Sequence, residues 1–164
     1  MKQPNPLEFN LEMAVSVADF YEYSMAQANL LEDICGTPTV FDFVVRRMPI
    51  NKVIGTFEHE KVKYDKLTKR DFLINCGTEQ ALAYLLGGKG SVKLRNYMKN
   101  VQGITDKKFL NWVEHIEFKG DVYGMSEGTI FFAQESQLRV HERFEEAQVY
   151  ESLLLSTLNP QTNV

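Results

Sequence analysis

Hydrophobic and polar positions divide the chain into alternating helical and extended stretches. Residues 11–31 contain no glycine or proline. They read as one helix, or as a turn followed by a helix that starts near Asp19, a residue type whose carboxylate can accept a bond from an unpaired first-turn amide. Gly36 and Pro38 close this unit. The run TVFDFVVRR from Thr39 to Arg47 is β-branched and aromatic and predicts a strand. Its alternation sets Phe41, Phe43 and Val45 on a core face and Asp42, Val44 and Arg46 on a polar one.

Residues 50–71 hold six basic and four acidic side chains, so they read as a charged loop or an edge hairpin. The run DFLINCG (71–77) predicts a short buried strand, and Gly77-Thr78 opens a helix. Ala81, Leu82, Leu85 and Leu86 form that helix's apolar stripe, and Gly87-Gly88 stops it. Two further helices are expected over 91–101, with Ser91 as cap, and over 105–116, with Phe109, Val113 and Ile116 inward. Strands follow at 121–125, 129–133 and 137–141. A last helix over 143–158 should stop at Asn159-Pro160. Its consecutive Leu153, Leu154 and Leu155 cover more than one face, which predicts partners on two sides and an exposed apolar patch if one is missing. The order is α+β, without a βαβ repeat.

Composition narrows the function classes. A hydrophobic fraction of 44% and a charged fraction of 24% fit an ordinary folded domain. The formal charge of −4 argues against a nucleic-acid binder, which needs a basic excess. No apolar run is long enough for a membrane span, and the start resembles neither a signal nor a transit peptide. Cys35 and Cys76 stand outside any CxxC pattern and read as reduced, buried thiols of a cytoplasmic protein. His59, His115 and His141 form no ligand-spaced cluster, so no metal site is expected. The Gly87-Gly88-Lys89-Gly90 run follows a helix and reads as a helix stop, not a phosphate loop.

Three residues carry candidate chemistry. Asp19 and Tyr21 share a helix start, where the phenol ring could face a small heteroaromatic ring. Arg46 could grip a phosphate through paired N–H donors. On spacing alone the ordinary roles fit better: a cap, a core-edge tyrosine and a solvated arginine.

Longer motifs extend the reading. VADFYEYSMAQANLLED resembles the "TDLYxxTMAQAY" opening of nicotinate phosphoribosyltransferases, matching at Asp19, Tyr21, Met25, Ala26, Gln27 and Ala28. VFDFVVRRMP is similar to their "xFDLFFRxxP" strand at Phe41, Asp42, Arg46 and Pro49, and CGTEQALAYL to "AGLEQALEYL". Residues 106–162 resemble "GDVYAxPEGTxxFPxEPLLRVxxxxxEAQLLETxLLNxIN" throughout. The resemblance implies the family's amino-terminal domain, with helices packed on a small, mostly antiparallel sheet and the catalytic barrel absent. It implies one domain over 1–164, with a charged loop at 50–71, a strand-rich subdomain at 120–142 and a docking helix at 143–158.

The family condenses nicotinate with phosphoribosyl pyrophosphate, coupled to ATP hydrolysis through a phosphorylated histidine. The resemblance therefore implies ATP and magnesium for the complete enzyme, with neither bound by this chain alone. Tyr21 would stack on the pyridine, Asp19 would lie beside it, and Arg46 would contact phosphates. All three would act in trans within a dimer, on a barrel supplied by a second polypeptide or a missing segment. None of the three histidines matches the phosphoaccepting one, so no catalytic residue is expected in this chain and the chain alone should be inactive. Two alternatives stay open. One is a non-catalytic truncated relative that acts as an interaction or regulatory domain. The other is a nicotinamide-using member, which the lysine-rich stretch after Pro49 resembles.

Overall fold

A computed structural model describes residues 11–48 and 72–162, together with strand segments at 50–51, 58–59, 62–63 and 68–69. A 3-10 helix, Leu11–Val17, leads into α1 (Phe20–Leu31) and β1 (Pro38–Val44). Short strands follow: β2 (Ile50–Asn51), β3 (Glu58–His59), β4 (Val62–Lys63), β5 (Thr68–Lys69) and β6 (Leu73–Ile74). Next come α2 (Thr78–Gly87), α3 (Val92–Asn100) and α4 (Lys107–Glu114). The chain continues with β7 (Asp121–Gly124), β8 (Ile130–Phe131), β9 (Ser136–Arg143) and α5 (Phe144–Thr162).

Of the two readings of residues 11–31, the turn followed by a helix is the observed one. α1 buries Glu22, Tyr23, Ala26 and Leu30. Past its end the chain reverses through Asp33 (φ 54°) and Gly36 (φ 85°). The buried Glu145 carboxylate accepts the Gly36 N–H at 3.0 Å and fixes that reversal against α5.

The central sheet is antiparallel in the order β1-β9-β7, with Phe41 opposite Val140 and Phe43 opposite Leu138. Phe43, Leu138 and Val140 face a single core with Tyr150, Leu154 and Leu158 of α5. β9 runs straight into α5, which folds back over the sheet until Gln137 Nε2 donates to Thr162 Oγ1 at 2.7 Å. α2, α3 and α4 close the other side through Ala81, Leu85, Leu94, Met98, Phe109 and Val113. Ser91 caps α3 by accepting the Leu94 N–H, and Asp106 caps α4 by accepting that of Phe109. β6 pairs with β8. Between residues 50 and 71, β2 pairs with β5 and β3 with β4, so the hairpin alternative describes the segments seen there. The remaining residues of that stretch, and Pro49, lie outside the described ones.

Four details differ from expectation. Leu86 is 63% exposed, and Tyr84 is buried in its place. On a helix this short the core face runs through positions 78, 81, 84 and 85, which turns Leu86 outward. α5 does not stop before Pro160 but reaches Thr162. Pro160 removes one N–H, yet the last turn is tied by Gln161 Nε2 to Gln80 Oε1 (2.7 Å) and by Thr162 Oγ1 to the Cys76 carbonyl (3.1 Å). The leucine run also finds its partners inside the chain. Leu153 and Leu154 are buried, so the exposed patch reduces to Leu155 at 37%. Finally, Cys35 is exposed and Cys76 half-buried, both as free thiols, because each lies in a connection and not in the core.

A buried polar hub holds the loops to the core. The Asn75 side-chain amide donates to Thr78 Oγ1 and the Met125 carbonyl, both at 2.8 Å, and its Oδ1 accepts from Gln137 Nε2 at 2.6 Å. The Asn75 backbone bonds the Thr129 carbonyl and the Gly128 N–H. From the same turn Glu127 reaches back to accept the Gly77 and Glu79 N–H groups at the start of α2. Gly77 takes φ 92°, and a Cβ there would meet the Gln161 amide at 3.0 Å. Asn75→Ala should lower unfolding stability by about 3 kcal/mol, since several buried partners lose a bond at once. Urea denaturation measures this, and a change below about 0.5 kcal/mol would contradict the hub.

Candidate functional site

Asp19 has the extended backbone of an N-cap (φ −64°, ψ 141°), but its carboxylate makes no capping bond. It is exposed, and only its carbonyl is used, accepting the Glu22 N–H at 3.0 Å. Tyr21, two residues on, is 50% exposed. Its phenol pKa is raised, chiefly by the Glu151 carboxylate of α5, then by partial burial, then by Glu22 and Asp19. Three carboxylates thus bear on one exposed phenol.

Antiparallel packing of α1 on α5 produces this arrangement. Asn29 meets Glu145, Met25 meets Gln148, and Glu22 accepts the Ser152 hydroxyl at 2.9 Å. Continuing the ladder brings Tyr21 level with Glu151. Glu22 is wholly buried, and its second oxygen, Oε2, has no hydrogen-bond partner among the described residues. Burial pushes its carboxyl up to about 7. The Ser152 bond opposes the shift, while Glu151 and Asp19 add to it. The sequence carries a faint sign of this group, since Glu22 occupies the same stripe as Ala26 and Leu30. Glu151 has no comparable signature and becomes visible only when α1 and α5 are docked.

Arg46 lies just past the end of β1, exposed, with no ion-pair partner for its guanidinium among the described residues. Its backbone is nevertheless held: its carbonyl accepts from Gln134 Nε2 at 2.7 Å, and the Val45 carbonyl accepts the Gln134 N–H at 2.9 Å. The neighbouring Asp42 is consumed differently. Arg139 binds it through Nε (2.7 Å) and Nη2 (3.0 Å), which holds its carboxyl below the usual range.

The structure brings Asp19 and Tyr21 together, but no described contact joins them to Arg46. Arg46 is at the end of the sheet where Gln137 meets Thr162, and Tyr21 is level with Glu151. Those two levels on α5 are roughly 16 Å apart at about 1.5 Å per residue. Among the described residues no group of three His, Cys, Asp or Glu could hold a metal ion. No described helix is long and apolar enough to cross a membrane. His115 Nδ1 is bonded to the Asn111 carbonyl at 2.8 Å and ends α4.

The model of the nicotinate phosphoribosyltransferase N-terminal domain family matches residues 17–159. The chain belongs to that family. Asp19, Tyr21 and Arg46 all fall within the matched span. Nicotinate phosphoribosyltransferase pncB2 of Mycobacterium tuberculosis is 26% identical over 144 residues, which are 88% of this chain and 27% of that protein. The chain therefore spans about a quarter of the length of such relatives. Human nicotinic acid phosphoribosyltransferase superposes with a TM-score of 0.63 at 18% identity, over 85% of this chain and 25% of that one. Nicotinate-nucleotide pyrophosphorylase from Pyrococcus furiosus gives 0.55 at 16% identity, over 95% and 28%. The described residues match the helix-and-sheet domain of that fold and form no barrel.

Glu22 provides a test of the site's electrostatics. Its folded pKa of about 7 lies above the ordinary 4.5, so the folded state holds the proton more tightly. Stability should fall as pH rises from about 4.5 to about 7 and then level off. Glu22→Gln, which mimics the protonated form, should stabilise the domain by on the order of 2–3 kcal/mol at pH 8 and by little at pH 5. Thermal melts of both proteins at the two pH values decide it. Equal differences at both would show that burial does not set this carboxyl.

Proposed function

We propose that this nicotinate phosphoribosyltransferase N-terminal domain supplies one wall of a substrate site whose other walls lie on a barrel. The carrying observation is that Asp19, Tyr21 and Arg46 are not consumed by the fold. Asp19 stands at a cap position and caps nothing, Tyr21 is half exposed, and Arg46 has a fixed backbone and an unpaired head among the described residues. A domain that needed these side chains for stability would bury or pair them.

In this reading Tyr21 stacks on the pyridine ring of nicotinate and Asp19 lies beside it. Arg46 holds phosphates of phosphoribosyl pyrophosphate through its planar set of donors. The separation along α5 suits an extended ligand, with a ring at one end and phosphates at the other. The three residues act in trans on the barrel of a partner subunit in a dimer, or on a barrel carried by another polypeptide. Glycosyl transfer then depends on position and charge, and this wall provides part of each. ATP and magnesium serve the complete enzyme, at groups outside these residues. The product, nicotinate mononucleotide, feeds NAD synthesis. The two free thiols fit a reducing compartment, and we place the protein in the cytoplasm.

The 164 residues by themselves should form no nicotinate mononucleotide, and activity should appear with the barrel-bearing assembly. In that assembly Tyr21→Ala and Arg46→Ala should each lower kcat/KM by about a hundredfold or more while leaving the circular dichroism spectrum and Tm unchanged. Unchanged kinetics would return these residues to ordinary surface roles, and loss of fold would make their role structural.

A further inference from the structure

A cavity of about 420 Å³ opens where the 3-10 helix, the start of α1 and α3 meet. Its walls are Phe20, Tyr23, Leu94, Tyr97 and Met98. Met98 is buried and forms part of the lining, and the Tyr23 hydroxyl donates to the Val15 carbonyl. Phe20 and Tyr97 are 49% and 47% exposed, which leaves two aromatic faces in water. Size, apolar walls and a few convergent polar groups are the features of a small-molecule pocket.

The polar groups specify the ligand's chemistry. Lys93 is the one charged side chain among the described lining residues, and it forms no ion pair among the described residues. It lies in the first turn of α3, which the Ser91 cap fixes. Gln102 Nε2 donates to the Tyr97 hydroxyl oxygen at 2.9 Å, leaving that hydroxyl its own proton to donate. An unpaired cation beside apolar walls fits an anionic ligand with a ring.

We infer that this cavity is a binding site for a planar aromatic acid, with its ring against Phe20 and Tyr97 and its acid group on Lys93. It is separate from Tyr21, which does not line it. Successive helical residues point about 100° apart, so Phe20 and Tyr21 serve different faces. Because Ala18 and Phe20 both line the cavity, an occupant touches the residues on either side of Asp19. The inference does not depend on the proposed activity.

The test is a fluorescence titration of the 164-residue chain with 8-anilinonaphthalene-1-sulfonate, an aromatic sulfonate, with amide NMR shifts to locate it. Saturable one-to-one binding is expected, with the largest shifts at Phe20, Lys93 and Tyr97. Lys93→Glu and Tyr97→Ala, both at exposed positions, should each weaken binding about tenfold with near-ultraviolet circular dichroism unchanged. Ile34→Ala, at an exposed residue beyond α1, should bind as the parent does. Unsaturable binding, unaltered affinity in Lys93→Glu and Tyr97→Ala, or equal weakening in Ile34→Ala would overturn the assignment.

Discussion

The Asn75 amide is the junction on which the chain's long connections depend. Around it meet β6, the start of α2, the turn before β8, the first residues of β9 and the last turn of α5. They come from three regions of the chain far apart in sequence, residues 73–79, 125–137 and 157–162. Directional bonds in a dry environment do what packing does elsewhere in the core. A hydrogen bond adds modestly to stability when made, but a buried amide left unmade is costly, so such a hub selects one arrangement of its surroundings. Gln137 occupies the place in β9 next to Leu138, so the core strand and the polar hub share one register.

That register positions the candidate site. β9 leads into α5 without a loop, so fixing Gln137 against Thr162 fixes the line of α5. α1 is then aligned by its polar rungs to Glu145, Gln148 and Ser152. Tyr21 and its carboxylate neighbours are set by this ladder, while Arg46 is set independently by the Gln134 turn. The site is thus two anchored pieces on one scaffold.

Much of this was legible in the sequence where a local signal exists. The β1 alternation, the Ser91 cap and the Gly87-Gly88 stop each reflect a rule acting within a few residues, and the structure keeps all three. Sequence pattern and structure part where distant groups intervene. Pro160 looks like a helix end until the side chains of Gln80, Gln137 and the Cys76 carbonyl hold the turn beyond it. Leu86 belongs to an apolar stripe only if the helix is rolled slightly differently. Asp19, Tyr21 and Arg46 could be located as candidates but not weighed against ordinary roles from spacing, because the informative fact is what each side chain leaves unbonded. Asp19 and Glu22 flank Tyr21 in the sequence, but Glu151 reaches it only through the docking of α5, more than a hundred residues away and beyond any local motif.

The pairing of β1 with β9 also shapes how the domain comes into being. Pro38 lies opposite Arg143, so the central sheet closes only when segments about a hundred residues apart have met. Loop closure over that span is an entropic toll borne before the core rewards it. During synthesis the first strand must therefore wait, with Phe41 and Phe43 uncovered, until β9 has emerged. Until then the apolar strand that later organises the sheet is an unpaired edge, open to pairing with other chains.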